Sequence, residues 1–338
     1  MSNLTIRDIA RMAGVSTTAV SFVLNGRGGV SEATRQRIQD IIQRTGFTPN
    51  VHTRRLNLGK SFTLHVVLHW YEYDLFNQFA LEILYGVFKA SKALGYSVIF
   101  TFVDNSMDSD QLMESVRSKD CDGVILSQIE DPSFIAQLQR EKIPFICADS
   151  HIPHDGALPL VEVDYFQAAY DATMHLCRRG HTEIGFIGPQ TPQEFHQSTF
   201  GGYAAALRDE ELVCNPAWMP SIPFAETSAA DSIEQLLQCP WLPTAFLCAG
   251  DPFAIDAIRC AKARGLRIPH DISVISLDDL LVSRYTDPPL TTMSFDKELL
   301  GRRAVEVLCQ LINGEDCQAV NLLPAVLVER GTVRDLRK

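Results

Sequence analysis

Eight short apolar runs punctuate the chain: LHVVLHW (64–70), YSVIFTFV (96–103), DGVILSQ (122–128), PFICAD (144–149), LVEVD (160–164), EIGFIGP (183–189), TAFLCAG (244–250) and SVISLDD (273–279). Stretches with apolar residues at helical spacing lie between most of them. That alternation predicts parallel sheets with helices on both faces. More than 200 residues of it predict two doubly wound lobes. Ligands of open α/β sheets gather at the carboxyl ends of the strands. No phosphate loop and no G-x-G-x-x-G follows a strand, so a nucleotide-dependent enzyme has little support.

The 338 residues are 46% hydrophobic and 21% charged, an ordinary globular profile for two or three domains. No run of about 18 apolar residues exists, so no membrane span is expected. The opening MSNLTIRDIARMAG is amphipathic rather than basic and then apolar, so a cytoplasmic protein without a signal peptide is expected. The nine cysteines are odd in number and scattered, without a C-x-x-C pair. Most sit in apolar runs, as Cys147 and Cys248 do, and read as buried free thiols. His175 and His181 lie six apart, and His151 and His154 sit beside Pro153 without a second ligand cluster. With no nucleophile–base–acid set either, the expectation is no catalytic residue, no metal and no cofactor.

Charge is segregated along the chain. Residues 1–60 hold nine Lys/Arg against three acids, a net +6, while the other 278 residues hold 21 basic and 38 acidic side chains, a net −17. A basic head on an acidic body suits a module that meets a polyanion. Within the head, Thr5 can cap a helix striped by Ile6, Ile9, Ala10 and Ala13. Gly14-Val15 turns the chain, and Ser16 can cap a second helix with Val20, Val23 and Leu24 on its buried side, ended by Asn25-Gly26. Ser31, after Val30, starts a third helix with Ile38, Ile41, Ile42 and Thr45 on one face, and Gly46 ends it. Three short helices, the first two joined by a tight turn, spell a small all-α helix-turn-helix domain over residues 1–48. The second helix shows Thr17, Thr18, Ser21, Phe22 and Asn25 outward, without a charge from Ser16 to Asn25. Hydroxyls and an amide can bond phosphates or base edges, and a ring can pack on a thymine methyl.

The stretch TPNVHTRRLNLGKSFT follows. Pro49 breaks the chain, Gly59-Lys60-Ser61 is linker-like, and Val51 to Leu58 could form two helical turns, too few to stand alone. A hinge over 49–61 is therefore expected to order only against a partner. Leu56, preceded by Arg54 and Arg55, is either a wedge for the minor groove or a residue docked on the next domain.

The segment TIRDIARMAGVSTTAVSFVLNGRGGVSEATRQRI…GFTPN closely resembles the N-terminal domain of the lactose/galactose repressor family of bacterial transcription factors. The likeness continues at RRGHTEIGFIGP, GLRIPHDISVISLDD and YTDPPLTTMSFDKELLGRRAVEVL. The resemblance implies a homodimeric repressor, each head reading one half-site of a near-palindromic double-stranded operator, with both Leu56 side chains entering the central base step. Its DNA contacts would fall at Thr5, Ser16, Thr17, Thr18, Ser21, Phe22, Asn25, Ser31, Thr34, Arg35, Asn50, Arg54, Arg55 and Leu56. It also implies a periplasmic-binding-protein-like body, residues 62–338, that binds a small-molecule effector and dimerises. Lobe one would take about 62–160 plus 291–322 and lobe two about 161–290 plus 323–338, with the effector in the cleft and crossings near 160, 291 and 322.

Asp149, Asp251 and Asp278 each close an apolar run. Such acids either cap the next helix or, converging, bond sugar hydroxyls; Asp149 and Asp278 match effector-contacting positions of the family, and Asp251 matches the acid of its usual Asn-Asp pair, with Gly250 in place of the Asn. The chain departs from the family pattern at Thr199, where an Arg is usual, at Tyr165, where an Asn is, and at Phe295, where a Gln is. Trp70, Tyr71, Tyr73, Phe76 and Phe79 cluster after the first run of the body, with Phe79 and Phe76 assigned to the core, and Phe224 matches an aromatic cleft position. The effector set is then His69, Trp70, Tyr73, Asp149, Tyr165, Thr199, Phe224, Asp251, Asp278 and Phe295. Three acids without the arginine argue for a neutral, hydroxyl-rich effector, a sugar or glycoside stacked on Trp70 or Phe224. A nucleobase or another aromatic co-repressor is the competitor. A sugar-binding module without a regulatory role is opposed by the helix-turn-helix and the missing signal peptide.

Overall fold

A computed structural model describes residues 4–24, 28–47, 59–70, 74–104, 107–153, 156, 158–189, 193–220, 222 and 229–338. The chain divides into two compact units, Met1–Phe62 and Thr63–Lys338.

The first unit contains α1 (Ile6–Ala13), α2 (Thr17–Leu24) and α3 (Glu32–Thr45). Each begins where a hydroxyl residue can serve its first turn. Thr5 donates its hydroxyl to Asp8 at 2.7 Å, Ala19 N–H donates to Ser16 at 3.2 Å, and Thr34 N–H donates to Ser31 at 3.3 Å. Gly14 and Gly46 follow α1 and α3 in the left-handed region, at φ 63° and 62°, where a side chain would be strained. Ile9, Ala10, Ala13, Val20, Val23, Ile38 and Ile41 close a core that Phe47 completes, with Ile6, Leu24 and Ile42 at its margin.

The second unit contains eleven strands among the described residues: β1 (Thr63–His69), β2 (Ser97–Val103), β3 (Gly123–Ser127), β4 (Phe145–Ala148), β5 (Leu160–Val163), β6 (Ile184–Ile187), β7 (Ala245–Cys248), β8 (Ser273–Asp278), β9 (Thr291–Ser294), β10 (Val320–Leu323) and β11 (Val326–Val328). Between them run α4 (Asp74–Ala93), α5 (Ser109–Arg117), α6 (Pro132–Arg140), α7 (Tyr165–Arg178), α8 (Gln193–Asp209), α9 (Ala230–Leu236), α10 (Asp251–Ala263) and α11 (Lys297–Asn313). One sheet has the order β10-β5-β4-β3-β1-β2, the other β11-β9-β8-β7-β6. Every pairing is parallel except β11 with β9. These are two doubly wound lobes, as the alternation requires, and all eight apolar runs hold a strand.

The crossings between lobes come slightly later than expected. Leu160–Val163 pairs with β4, so the first crossing follows Val163 rather than residue 160. Thr291–Ser294 pairs with β8 in the second sheet, which moves the next crossing beyond Ser294. Val320–Leu323 returns to β5, and the third follows Leu323. Each crossing thus occurs after a strand is complete, because leaving mid-strand would strand unpaired backbone groups.

Glycine lets two helices meet backbone to backbone. A Cβ on Gly301 of α11 would lie 2.1 Å from the Ile83 carbonyl oxygen of α4, and one on Gly86 of α4 would lie 2.1 Å from that of Glu298. Among the described residues no helix is long and apolar enough to cross a membrane.

Candidate functional site

On the head, Thr17 and Thr18 stand exposed on α2, while Ser21 and Phe22 are half-buried. The Phe22 ring leans over the turn before α3: a Cβ on Gly29 would come within 3.4 Å of it. Ser16 and Ser31 already accept hydrogen bonds from their own helix starts, and Thr34 shares its hydroxyl with Ser31 at 2.9 Å. Arg35 sits 3.8 Å from Glu32. Thr5, Ser16 and Ser31 therefore act first as helix-start residues. The exposed N-terminus of α2, with positive dipole and no acid in its first turn, offers backbone donors to an anion. Asn25, Asn50, Arg54, Arg55 and Leu56 lie outside the described residues.

In the body, strand ends of both sheets surround a pocket of about 410 Å³ including its open mouth. Gln128 follows β3, Asp149 and His151 follow β4, and Tyr165 opens α7 after β5. From the second sheet come Ala249, Gly250, Pro252 and Phe253 after β7, and Asp278 and Leu280 at the end of β8. Phe79 and Phe195 add two rings. Asp149 is almost completely buried; it accepts from the Tyr165 hydroxyl at 2.9 Å and from the Gln128 amide at 3.2 Å. Burial pushes its carboxyl above the usual range, although His151 pulls the other way. His151 bonds Glu162 through Nδ1 at 2.9 Å. Burial disfavours its charged form, but Asp149, Glu162 and Glu130 overcome that and raise it to about 9. Burial and the adjacent Asp251 hold Asp278 well above the carboxylate range. Its Oδ2 accepts from Asp251 N–H at 3.3 Å. Gly250 makes room there, since a Cβ would lie 3.1 Å from that oxygen.

Several expected cleft residues lie elsewhere. Asp251 is fully buried and does not line the pocket: it accepts from the hydroxyls of Ser276, Ser283 and Thr292 and from Leu280 N–H, tying α10 to β8 and β9. Thr199 is also fully buried, its hydroxyl donated to the Phe195 carbonyl of its own helix at 2.8 Å. Phe295 is buried beneath Phe79, with ring centres 5.5 Å apart. His69 ends β1 and Trp70 follows it, both outside the lining, with Trp70 edge-on to Phe102 at 5.1 Å. Tyr73 and Phe224 fall outside the described residues. Phe79 belongs both to the core and to the pocket wall; nothing is described of the Phe76 side chain.

Five polar or aromatic residues about the pocket escaped the sequence. Gln128 closes an apolar run as the three acids do, and the same rule applied to amides would have found it. His151 follows Asp149 by two, but its partner Glu162 lies on the neighbouring strand, and histidine spacing alone does not reveal it. Phe195 and Phe253 come from helices that carry no mark of facing a cleft. Lys297 is buried; its ammonium donates to the Asp278 carbonyl oxygen and lies 4.8 Å above the Phe295 ring and 3.7 Å from Glu82. The cleft is therefore not without positive charge: His151 stands in its wall and Lys297 behind Asp278. Arg208 remains exposed beside Asp209, and His196 bonds the Pro189 carbonyl at 3.0 Å.

Residues 5–50 match bacterial regulatory proteins of the lacI family, and residues 173–333 match a periplasmic binding protein-like domain. The HTH-type transcriptional repressor PurR of Aliivibrio salmonicida is 31% identical over 91% of this chain and 92% of its own. The repressor CytR of Escherichia coli is 30% identical over 98% and 97%. Among solved structures, the lac repressor dimer bound to operator and the anti-inducer ONPF is similar with a TM-score of 0.78 and 25% identity, covering 98% of this chain and all of that one. The regulator CelR in complex with cellobiose is similar with a TM-score of 0.74 and 26% identity, covering 97% and 99%. These relatives are transcriptional regulators, not enzymes. With both domains matched in order and identity of 30% or more sustained along the whole length, this chain belongs to the lacI family of bacterial regulatory proteins.

Proposed function

We propose that this regulator is a cytoplasmic repressor that binds a near-palindromic operator as a homodimer, under the control of a small neutral, hydroxyl-rich effector in the cleft, a sugar or glycoside. The observation that carries the effector reading is the pocket lining. Asp149 and Asp278 offer carboxyl groups from opposite sheets, Phe79, Phe195 and Phe253 offer ring faces, and no Lys or Arg lines it among the described residues. An anionic ligand would find one basic side chain in the lining among the described residues, His151, already bonded to Glu162. Hydroxyls suit carboxyl partners, and the apolar face of a sugar suits the rings. The same rings favour the second reading, a nucleobase or other aromatic effector. The cellobiose complex of the similar CelR structure supports the first.

Dimerisation is supported by a bare apolar face. Leu81, Tyr85 and Phe88 of α4 are at least half exposed, at helical spacing, and Phe102 of the edge strand β2 is 52% exposed. Large apolar side chains left exposed along one helix mark an interaction site, and the similar lac repressor structure is a dimer on its operator.

Calorimetry against neutral sugars, sugar phosphates and nucleobases tests the effector. A neutral sugar should bind, and Asp278→Asn should weaken it at least tenfold while operator binding without effector stays nearly unchanged. Tight binding of a sugar phosphate would overturn neutrality, and a sugar indifferent to Asp278→Asn would overturn the site.

A further inference from the structure

We propose that Asp149, His151 and Glu162 form a binding site for a divalent transition-metal ion in the wall of the cleft. The backbone brings them together. β4 and β5 are neighbours in the sheet, and Asp149 N–H donates to the Val161 carbonyl at 3.0 Å. Glu162, from the middle of β5, thereby meets the loop that leaves β4, and His151 in that loop bonds it at 2.9 Å. One donor atom from each of the three residues lies within 4.8 Å of the other two, and all three side chains are over nine-tenths buried.

An ion pair between His151 and Glu162 does not account for the cluster. Asp149 is a second buried carboxyl facing the same imidazole, and Glu130 is a third group in its field. The charges acting on Glu130 are one imidazole against three other acids, Glu162, Asp149 and Glu194. A buried cluster with more acids than bases can hold a cation in place of the proton shared by His151 and its carboxyl partners. The donor set selects the kind of cation. One imidazole nitrogen with two carboxylates suits zinc and its neighbours, whereas magnesium requires an octahedron of oxygens. The surroundings are those of ligands held in place: Tyr165 and Gln128 each bond Asp149, and the His151 ring is fixed against Phe195 with centres 4.8 Å apart. Asp149 and His151 also line the pocket, so the ion would keep an open position toward whatever enters. The site shares Asp149 with the proposed effector pocket, and metal binding is measured without effector, so its failure leaves the effector reading untouched.

The test is calorimetric titration of tag-free, metal-stripped, full-length protein with zinc chloride, and with magnesium chloride as control. One zinc per chain and no magnesium should bind. Glu162→Gln and His151→Asn should each weaken zinc roughly tenfold or more, and Tyr165→Phe, which keeps all three ligands, should weaken it measurably but less. Thermal melting without metal reports whether each variant is folded. Where the ligand variants do not fold, Tyr165→Phe and a visible cobalt(II) spectrum of low-symmetry nitrogen–oxygen coordination in the parent carry the test. Absence of zinc binding at tens of micromolar would overturn the proposal. So would zinc binding equally to the parent and Glu162→Gln, which would place the ion on surface histidines, or a cobalt spectrum of a hydrated octahedral ion only.

Discussion

Asp251 accepts four hydrogen bonds at once, from Ser276, Ser283, Thr292 and the Leu280 N–H. Its removal would leave several buried donors without an acceptor, each costing about 1–3 kcal/mol. Asp251→Ala should therefore lower stability by roughly 3 kcal/mol or more, read as a reduced urea midpoint, and Asp251→Asn by less because one acceptor oxygen remains. An unchanged midpoint for Asp251→Ala would mean that the network is not formed. This residue also shows where sequence reading stops. Asp149, Asp251 and Asp278 each close an apolar run and are alike in sequence, yet two face the pocket and one is a buried hub. The difference lies in Ser276, Ser283 and Thr292, brought to Asp251 only by the pairing of β8 with its neighbours and by the turn after it. Phe22 is a similar case on the head: the helical pattern puts it on the exposed face of α2, whereas it is half-buried against a turn that the pattern does not show. Phe22→Arg should shift the operator preference toward G under that position, by roughly 1–3 kcal/mol for a good bidentate contact. Selection from random DNA with both proteins measures it; identical motifs would show that the side chain packs inward and reads nothing.

At the scale of elements, the eight apolar runs announced themselves, and each holds a strand. β9, β10 and β11 did not. β9 is TTMS, polar by composition but buried because Thr291 and Thr292 spend their hydroxyls on Arg330 N–H and Asp251. β11 is three residues long and antiparallel, a return that no periodicity encodes. The contact of α4 with α11 was equally hidden, because a glycine within a helix signals nothing until its neighbour is known. Gly301→Ala puts a Cβ where only 2.1 Å separates it from the Ile83 carbonyl oxygen, so the helices must part. Overpacking of this kind costs about 1–3 kcal/mol. The melting temperature should fall accordingly, and a variant as stable as the parent would show that the helices cross less closely than this structure has them.

At the scale of the whole molecule, charge and apolar surface divide the labour. The first 60 residues are net basic and the rest is strongly acidic, so attraction to DNA is confined to the head while the body repels it. A single head with an uncharged reading face binds weakly; two heads on one dimer make the second contact intramolecular, which multiplies affinity by about 10²–10⁴. The proposed dimer face is on the body, at Leu81, Tyr85 and Phe88 on α4 and Phe102 on β2. Tyr85 and Phe88 are each covered only in part, by the ammonium groups of Lys89 and Lys92 over their rings. Placing two carboxylates there should leave the fold intact, since the side chains already stand in water, and should prevent two copies from meeting. Tyr85→Glu combined with Phe88→Glu is expected to sediment as a monomer with an unchanged melting profile at low concentration. Its affinity for a selected palindromic operator should drop by two orders of magnitude or more. The slope of log affinity against log salt should fall to roughly half, because one head neutralises half the phosphates. The salt slope distinguishes this account from a general loss of DNA binding: a damaged head would weaken half-site and palindrome together, whereas a lost dimer spares the half-site. A double variant that remains dimeric, or one that keeps the parent's salt slope, would place the dimer contact on another face of the body.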